Sequence, residues 1–261
     1  MATPWLDDAG AGPAVLLLHA GIADRRMWRD HVTWLAGAGW RAVAPDLPGF
    51  GEHVPSPDSP APWDAVRGVL DELGIDRAVV AGCSFGGAVA LRLAVTAPER
   101  VRALALVSAP APGLKPSPRL DAVWTAETEA MERGDVDGAV TAVLDGWLAA
   151  DAPAELRAYV AAAQRRALEL EEHAGPGEPD DPVEEDPERV RAVTVPALVA
   201  AGELDMPDFA WSARWLADTL PHASRHVIAG ARHLAPLEAP DAFRHLLEGF
   251  LAGLAPGGAH D

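Results

Sequence analysis

Gly82-Cys83-Ser84-Phe85-Gly86-Gly87 is the most informative segment of this sequence, because it joins two regular patterns of different kinds. The apolar run 77–81 before it is typical of a buried strand, and the run 88–93 after it favours a helix. G-x-S-x-G at such a junction predicts a sharp strand-to-helix turn that exposes the serine hydroxyl. We therefore predict a nucleophile elbow centred on Ser84. A glycine-rich turn with an incidental serine is the alternative at this point.

Length and composition limit the class of protein. The chain has 261 residues, of which 49% are hydrophobic, and this size suits one α/β domain with an insertion. No uninterrupted apolar segment approaches the roughly 18 residues of a membrane span, and the acidic start at 1–8 resembles neither a signal peptide nor an anchor. The formal net charge of -18 argues against nucleic acid and against anionic membrane surfaces as partners. The single cysteine, Cys83, cannot form an internal disulfide, so we expect a cytoplasmic protein.

Short apolar runs alternate with helical patterns along the chain. We predict strands over the runs 14–18, 41–45, 77–81, 103–107, 197–201 and 224–228. Apolar residues at helical spacing separate these runs, and a closing helix is predicted over 242–251. This alternation predicts an α/β fold with a mostly parallel sheet and helices on both faces.

One interval, 110–191, interrupts the alternation. It contains three helical patterns, 120–133, 136–149 and 154–170. We interpret the interval as a helical cap over the carboxyl edge of the sheet, inserted into a core formed by 1–109 and 192–261.

The end of this interval, 171–188, is strongly acidic. It holds nine acidic residues and four prolines, with no Lys or Arg. Such a composition predicts a solvated connector with no catalytic or binding role, rather than part of the core. A metal site is the weaker alternative.

Two later strand ends supply partners for a serine nucleophile. A serine hydroxyl needs a base within hydrogen-bond reach, and that base needs an orienting acid. Asp205 follows the strand 197–201, and His233 follows the last strand in the same way. Because parallel strands end at the same edge of a sheet, we expect Ser84, Asp205 and His233 to converge there.

Other residues compete for these roles. Asp208 is the alternative acid, although its position before Phe209 also suits helix capping. His19 ends the strand 14–18, and we expect it to bond the backbone and shape the following loop rather than act as the base. The other histidines considered have expected surface or packing roles; they are His31, His53, His222, His226 and His245.

Together these motifs resemble the α/β-hydrolase family, and within it the small cofactor-free group of enol-lactone hydrolases, esterases and carbon-carbon bond hydrolases. The resemblance covers about 14–251. It includes the order nucleophile, acid, base along the chain, which is Ser84, Asp205, His233 here. The further matching motifs, in order, are Leu17-Leu18-His19-Ala20-Gly21, Asp46-Leu47-Pro48-Gly49-Phe50-Gly51, Gly202-Glu203-Leu204-Asp205 and Gly230-Ala231-Arg232-His233. The resemblance implies that Ser84 is the nucleophile, that His233 is the base and then the acid, and that Asp205 fixes the histidine tautomer. It also implies that no metal or organic cofactor is required.

An oxyanion hole follows from the same arrangement. The residue after the nucleophile, Phe85, offers its backbone N–H at the start of a helix, where the dipole favours negative charge. The resemblance implies a second N–H donor, that of Gly21, with Ile22 as the alternative. The loop reads His19-Ala20-Gly21 where relatives commonly have His-Gly, so the hole is expected to differ in shape.

The start of the chain departs from the family pattern. Only about a dozen residues precede the strand 14–18, where relatives usually have an antiparallel hairpin. We therefore expect either a sheet without its edge strands or a chain that begins further upstream.

These observations predict a serine hydrolase that cleaves a small carboxylic ester or lactone through an acyl-enzyme on Ser84. A carbon-carbon bond hydrolase acting on a keto acid with the same triad is an alternative, as is a non-hydrolytic ligand-binding homologue. Trp124 and Trp147 in the predicted cap favour an apolar or aromatic small-molecule substrate, although packing between cap helices explains them equally well. No pattern indicates the oligomeric state.

Overall fold

One mixed sheet organises the computed structural model, which describes residues 3–56, 58–171, 173 and 180–254. In the described part the strand order is β1-β3-β2-β4-β5-β6-β7. Neighbouring strands from β3 to β7 run parallel, and β1 pairs antiparallel with β3. The strands are β1 Leu6–Ala9, β2 Ala14–Leu18, β3 Arg41–Pro45, β4 Ala78–Cys83, β5 Val101–Val107, β6 Ala197–Gly202 and β7 Ala223–Ile228. The predicted α/β class and its parallel strands are confirmed.

Helices connect the strands and cover both faces. They are α1 Arg29–Gly37, α2 Pro62–Glu72, α3 Phe85–Thr96, α4 Pro118–Glu132, α5 Val136–Trp147, α6 Ala154–Glu171, α7 Pro207–Thr219, α8 Ala235–Glu238 and α9 Pro240–Gly253. Short 3-10 helices cover Arg25–Trp28, Pro98–Arg100 and Pro187–Ala192. The sequence pattern predicts most of these helices, but for α7 it indicates only a turn or helix cap at Asp208 before Phe209.

The core lies on both faces of the sheet because alternate residues of a strand point to opposite sides. In β2, Val15 and Leu17 join the cluster that contains residues of α1 and α9. Leu16 and Leu18 join the opposite cluster, with residues of α2, α3 and α7. A strand buried on both faces is apolar at every position, which is why this run reads as continuously apolar.

The amino-terminal edge of the sheet differs from the sequence prediction. A sheet without edge strands was one expectation, but β1 pairs with β3 along its whole length, from Leu6 opposite Pro45 to Ala9 opposite Ala42. That expectation is wrong because an edge strand that is only partly buried needs no apolar run. The segment Leu6–Ala9 carries two aspartates, and one of them, Asp8, pairs with Arg41 at 2.7 Å.

Helices α4, α5 and α6 lie between β5 and β6 in the chain and pack on one another around a small apolar cluster. Polar contacts at the start of α4 and along α6 tie them to the rest of the molecule. The Ser117 hydroxyl at the start of α4 donates to Asp208 of α7 at 2.8 Å, and the Tyr159 hydroxyl of α6 accepts from the Asp24 backbone N–H at 3.1 Å. The division into a cap, 110–191, and a core stays a prediction.

Part of the predicted acidic connector, namely 172 and 174–179, lies outside the described residues. Its carboxyl end is not solvated throughout: the Val183 side chain is fully buried in the core. Arg92 of α3 anchors this end through ion pairs with Asp181 at 2.6 Å and Glu184 at 3.3 Å. The prediction of a wholly solvated segment is therefore wrong for 181–183, because the Val183 side chain is buried and a buried arginine recruits Asp181 as a partner.

Across the described ranges, no helix is both long enough and apolar enough to cross a lipid bilayer.

Candidate active site

The turn between β4 and α3 holds Ser84 in an unusual backbone conformation. Its φ is 52° and its ψ is -116°, values that a non-glycine residue adopts only when the surroundings impose them. A hydrogen bond from the Ser84 N–H to the Val107 carbonyl at 2.8 Å helps to hold it. Gly86 permits the turn, since a Cβ there would lie well within 3.0 Å of the Leu18 carbonyl oxygen. The predicted sharp turn is thus present at Ser84.

The structure brings Ser84, His233 and Asp205 together. His233 Nε2 lies 2.8 Å from Ser84 Oγ, and His233 Nδ1 lies 3.2 Å from both carboxylate oxygens of Asp205. The Met206 N–H donates to Asp205 Oδ1 at 2.7 Å and orients that carboxylate. With Nδ1–H pointing to the carboxylate, Nε2 is free to accept the Ser84 proton.

Two aromatic rings pack against the His233 imidazole. The rings of Trp147 from α5 and Phe209 from α7 both lie 4.3 Å from it, centroid to centroid, and His233 is only 2% exposed. A dry environment strengthens the electrostatic contact between imidazolium and carboxylate. Sequence reasoning missed this role of Phe209, because only the tertiary packing shows which ring faces the histidine.

A second carboxylate holds the loop that carries His233. One oxygen of Glu238 accepts the N–H groups of Arg232 and Leu234, at 3.0 and 3.1 Å, on either side of the histidine. Burial raises the pKa of Glu238, and the charge of Asp205 adds to that rise. No sequence pattern had marked this residue.

Two backbone segments lie next to Ser84, where the sequence predicts an oxyanion hole. The first backbone bond of α3 runs from Ala88 N–H to the Ser84 carbonyl, so the N–H of Phe85 has no intrahelical acceptor. Gly21 and Ile22 line the same cavity as Ser84 and Phe85. A Cβ on Gly21 would lie 3.5 Å from the Phe85 Cβ, which places the two segments side by side.

His19 takes the contacts expected of a loop-shaping residue. The Leu47 N–H donates to its Nε2 at 2.9 Å, so Nδ1 carries the proton and donates to the Ala20 carbonyl at 2.9 Å. Burial lowers the pKa of His19 and favours this neutral form. His19 therefore joins the loop after β2 to the loop after β3.

Asp208, the alternative acid, contacts a different part of the molecule. Its carboxylate accepts the N–H of Ser117 at 2.6 Å and the Ser117 hydroxyl at 2.8 Å. It thereby supports the residue that caps α4. The contact with His233 belongs to Asp205.

A cavity of about 930 Å³ opens above Ser84. Most of its wall is apolar and includes Phe50, Leu114, Trp124, Leu170 and Phe209. Its polar groups away from the triad are carboxylates and one amide, and no lysine or arginine occurs among the described residues that line it. These polar groups are Glu127, Gln164, Glu171 and Glu184.

Two of these carboxyl groups have perturbed pKa values. Burial raises the pKa of Glu127, and the negative charge of Glu171 raises it further. Burial likewise raises the pKa of Glu171. Within the described ranges, no group of three or more His, Cys, Asp or Glu side chains is arranged to hold a metal ion.

Comparisons with known proteins extend these observations. A sequence model described as the Alpha/beta hydrolase family matches residues 15–246. The 2-hydroxymuconate semialdehyde hydrolase of Pseudomonas putida is 31% identical over 95% of this chain and 90% of that protein. Epoxide hydrolase 3 of Siraitia grosvenorii is 38% identical, but the match spans 38% of this chain and only 33% of that protein. A malate-bound structure of a thermophilic esterase from Thermogutta terrifontis is 25% identical, with a TM-score of 0.76 over 97% of this chain and 96% of that one.

Proposed function

The chain belongs to the alpha/beta hydrolase family, and on that premise we propose that it is a serine hydrolase that cleaves a small carboxylic ester or lactone. The observation that carries the proposal is the unbroken set of contacts from Ser84 Oγ through His233 to Asp205. A nucleophile, a base and an orienting acid in hydrogen-bond reach of one another are what acyl transfer to serine requires. The non-hydrolytic alternative is set aside, because the relatives are hydrolases.

The reaction proceeds through an acyl-enzyme. Ser84 Oγ attacks the carbonyl carbon while His233 Nε2 takes the hydroxyl proton, and Asp205 stabilises the imidazolium. The N–H groups of Phe85 and Gly21 hold the oxyanion of the tetrahedral intermediate. Collapse breaks the bond to the alkoxide, which receives the proton from His233 and leaves as the alcohol.

Water completes the cycle. His233 takes a proton from the water as its oxygen attacks the acyl carbon, and the second tetrahedral intermediate releases the carboxylic acid and restores the Ser84 hydroxyl. For a lactone, the alcohol and the acid are the two ends of one product.

The chemistry of serine disfavours epoxide opening, although epoxide hydrolases are among the relatives. Attack of Ser84 on an epoxide carbon would form an ether. An ether lacks the carbonyl that water attacks in an acyl-enzyme, so this intermediate would not turn over. An ester or lactone substrate forms an acyl-enzyme instead, which water can hydrolyse.

Carbon-carbon bond hydrolysis of a keto acid is the second candidate. The similarity to 2-hydroxymuconate semialdehyde hydrolase over 95% of the chain favours it. A carboxylate substrate, however, would enter a cavity whose lining has several glutamates and no lysine or arginine among the described residues. Repulsion between like charges makes such a substrate the less favourable occupant.

The test is a panel of p-nitrophenyl esters, lactones and keto acids of the ring-cleavage type, assayed with the wild type and with Ser84→Ala. We expect turnover of esters or lactones by the wild type only, and labelling of Ser84 by a serine-reactive phosphonate. Normal turnover by Ser84→Ala, or absence of labelling, would contradict the proposal. Turnover confined to the keto acids would favour the second candidate.

The proposed substrate is a small molecule with an apolar or aromatic body, as the apolar cavity wall supports. The proposed location is the cytoplasm, which the buried, unpaired Cys83 thiol supports.

A further inference from the structure

The cavity wall formed by α4 and α6 contains a pair of polar side chains with unused hydrogen-bond capacity. The Gln164 Nε2 donates to Glu127 Oε1 at 2.7 Å. Gln164 is only 5% exposed, and its Oε1 has no hydrogen-bond partner among the described residues. Leaving a buried polar atom unpaired is unfavourable, so this oxygen is suited to receive a ligand.

The remaining groups at this wall are also acceptors. Glu171 follows Gln164 by two turns of α6 and lines the same cavity. One N–H of the Gln164 amide already donates to Glu127; its second N–H is spare, and the acceptors open to a ligand are its Oε1 and the carboxylate oxygens of the two glutamates. A ligand that satisfies them must supply donors.

Among the described residues that line the cavity, no lysine or arginine lies at this wall. The titratable residues of the described lining are Glu127, Glu171, Glu184 and His233. Glu184 already pairs with Arg92, and His233 bonds Ser84 and Asp205. Glu127 and Glu171 therefore have no cationic partner within the cavity among the described residues, and a cationic ligand would supply one.

An aromatic ring lies beside the same wall. Trp124 precedes Glu127 by one turn of α4, lines the cavity and is 43% exposed. The face of an exposed indole attracts cations. The three acceptor side chains and the exposed indole face all favour a cationic ligand.

We propose that the wall of Glu127, Gln164 and Glu171 binds a primary ammonium group of the substrate. This inference rests on the proposed function, and it narrows the substrate to an ester or lactone that carries a protonated amine. A primary ammonium has three N–H donors, enough for one bond to each of the three side chains. A quaternary ammonium would leave the Gln164 oxygen unpaired, and a carboxylate would be repelled.

The first experiment compares p-nitrophenyl esters that differ only at the far end of the acyl chain. Each ester ends in a methyl, ammonium, trimethylammonium or carboxylate group, and each of these four kinds is made with acyl chains of several lengths. The value of kcat/KM is measured for every ester. At the best chain length we expect the ammonium ester to exceed its methyl counterpart about 10- to 100-fold, as charge-assisted hydrogen bonds allow. The carboxylate ester is expected to be the poorest substrate.

Matched variants locate the effect. In Glu127→Gln with Glu171→Gln, the ratio of kcat/KM for the ammonium and methyl esters is expected to fall to about 1, because the charges are gone. Glu132→Gln is the control, since Glu132 is exposed on the same helix, and it should keep both the ratio and the activity. A ratio that survives in the double variant would overturn the assignment of this wall.

The outcomes separate the two proposals. Equal kcat/KM for the ammonium and methyl esters in the wild type would overturn the ammonium site and leave the serine hydrolase intact. If no ester is cleaved and Ser84 is not labelled, the proposed function fails instead. Calorimetric titration of Ser84→Ala with n-hexylammonium and n-hexanol tests the site without turnover: tighter binding of the ammonium supports the site, and equal binding refutes it.

Discussion

Asp205 and Asp208 lie three residues apart but serve different parts of the molecule. Asp205 lies on the loop after β6 and contacts His233, whereas Asp208 lies in the first turn of α7 and contacts Ser117. The chain passes from a loop into a helix between them, so the two carboxylates face different neighbours. Separate substitutions of the two aspartates can therefore distinguish their roles.

Asp205→Asn should lower kcat by roughly 10⁴-fold, because an amide disfavours the histidine tautomer that accepts the serine proton. Asp208→Asn should keep most of the activity, since its amide oxygen still accepts the Ser117 N–H. Steady-state kinetics on the best ester of the panel measures both effects. Retained activity in Asp205→Asn together with loss in Asp208→Asn would exchange their roles.

Glu127 predicts a pH dependence of stability. Burial and then the charge of Glu171 raise the pKa of Glu127 above its ordinary value of 4.5 in the folded protein. The folded state therefore binds the proton more tightly than the unfolded chain, and the stability from this group falls as pH rises from 4.5 through the folded pKa. The glutamine in Glu127→Gln does not titrate. The melting temperature of this variant minus that of the wild type should therefore increase as pH rises across that window and stay constant above it. Thermal unfolding at a series of pH values measures the difference, and a constant difference would contradict the raised pKa.

At the scale of elements, the carboxyl ends of β6 and β7 must approach closely to join the acid to the base. Gly202 ends β6, and a Cβ there would lie well within 3.0 Å of the Arg232 and Ala231 carbonyl oxygens. Both oxygens belong to the loop that carries His233. The absence of a side chain at Gly202 thus sets the distance between the Asp205 loop and the His233 loop.

Gly202→Ala should therefore reduce kcat/KM on the order of 100-fold, because displacement by about 1 Å disrupts a catalytic arrangement. It should also lower the melting temperature. Gly68→Ala is the matched control: Gly68 lies inside α2 with nothing within 4 Å of the added Cβ, so this variant should gain up to about 1 kcal/mol of stability. Kinetics and thermal unfolding of both variants provide the measurement, and unchanged kinetics in Gly202→Ala would contradict the argument.

At the scale of the whole molecule, negative charge dominates. The chain has 39 acidic and 21 basic residues, so repulsion exceeds the attraction available from its ion pairs. Most of those pairs have at least one exposed member and contribute little each. The folded state concentrates the excess charge more than the unfolded chain does.

Added salt should consequently stabilise the protein. Raising NaCl from about 10 mM to about 0.3 M shortens the screening length from about 30 Å to under 8 Å and weakens the net repulsion. We expect the melting temperature at neutral pH to rise over this range, and KCl should act equally if screening is the cause. A fall in melting temperature would mean that attractive pairs outweigh the repulsion.

The amino-acid pattern was enough to predict the class of fold, the strand-to-helix turn at Ser84 and the convergence of Ser84, Asp205 and His233 at one sheet edge. These features depend on periodicity and glycine positions, which are local properties of the chain, and on the parallel sheet that the alternation of strands and helices predicts. The tertiary structure is needed to see that β1 forms an edge strand, that Trp147 and Phe209 pack against His233, and that Gln164 donates to Glu127 while its Oε1 has no partner among the described residues. Those contacts join residues far apart in the chain, and the packing of whole elements selects them, because no local pattern specifies which side chains will meet.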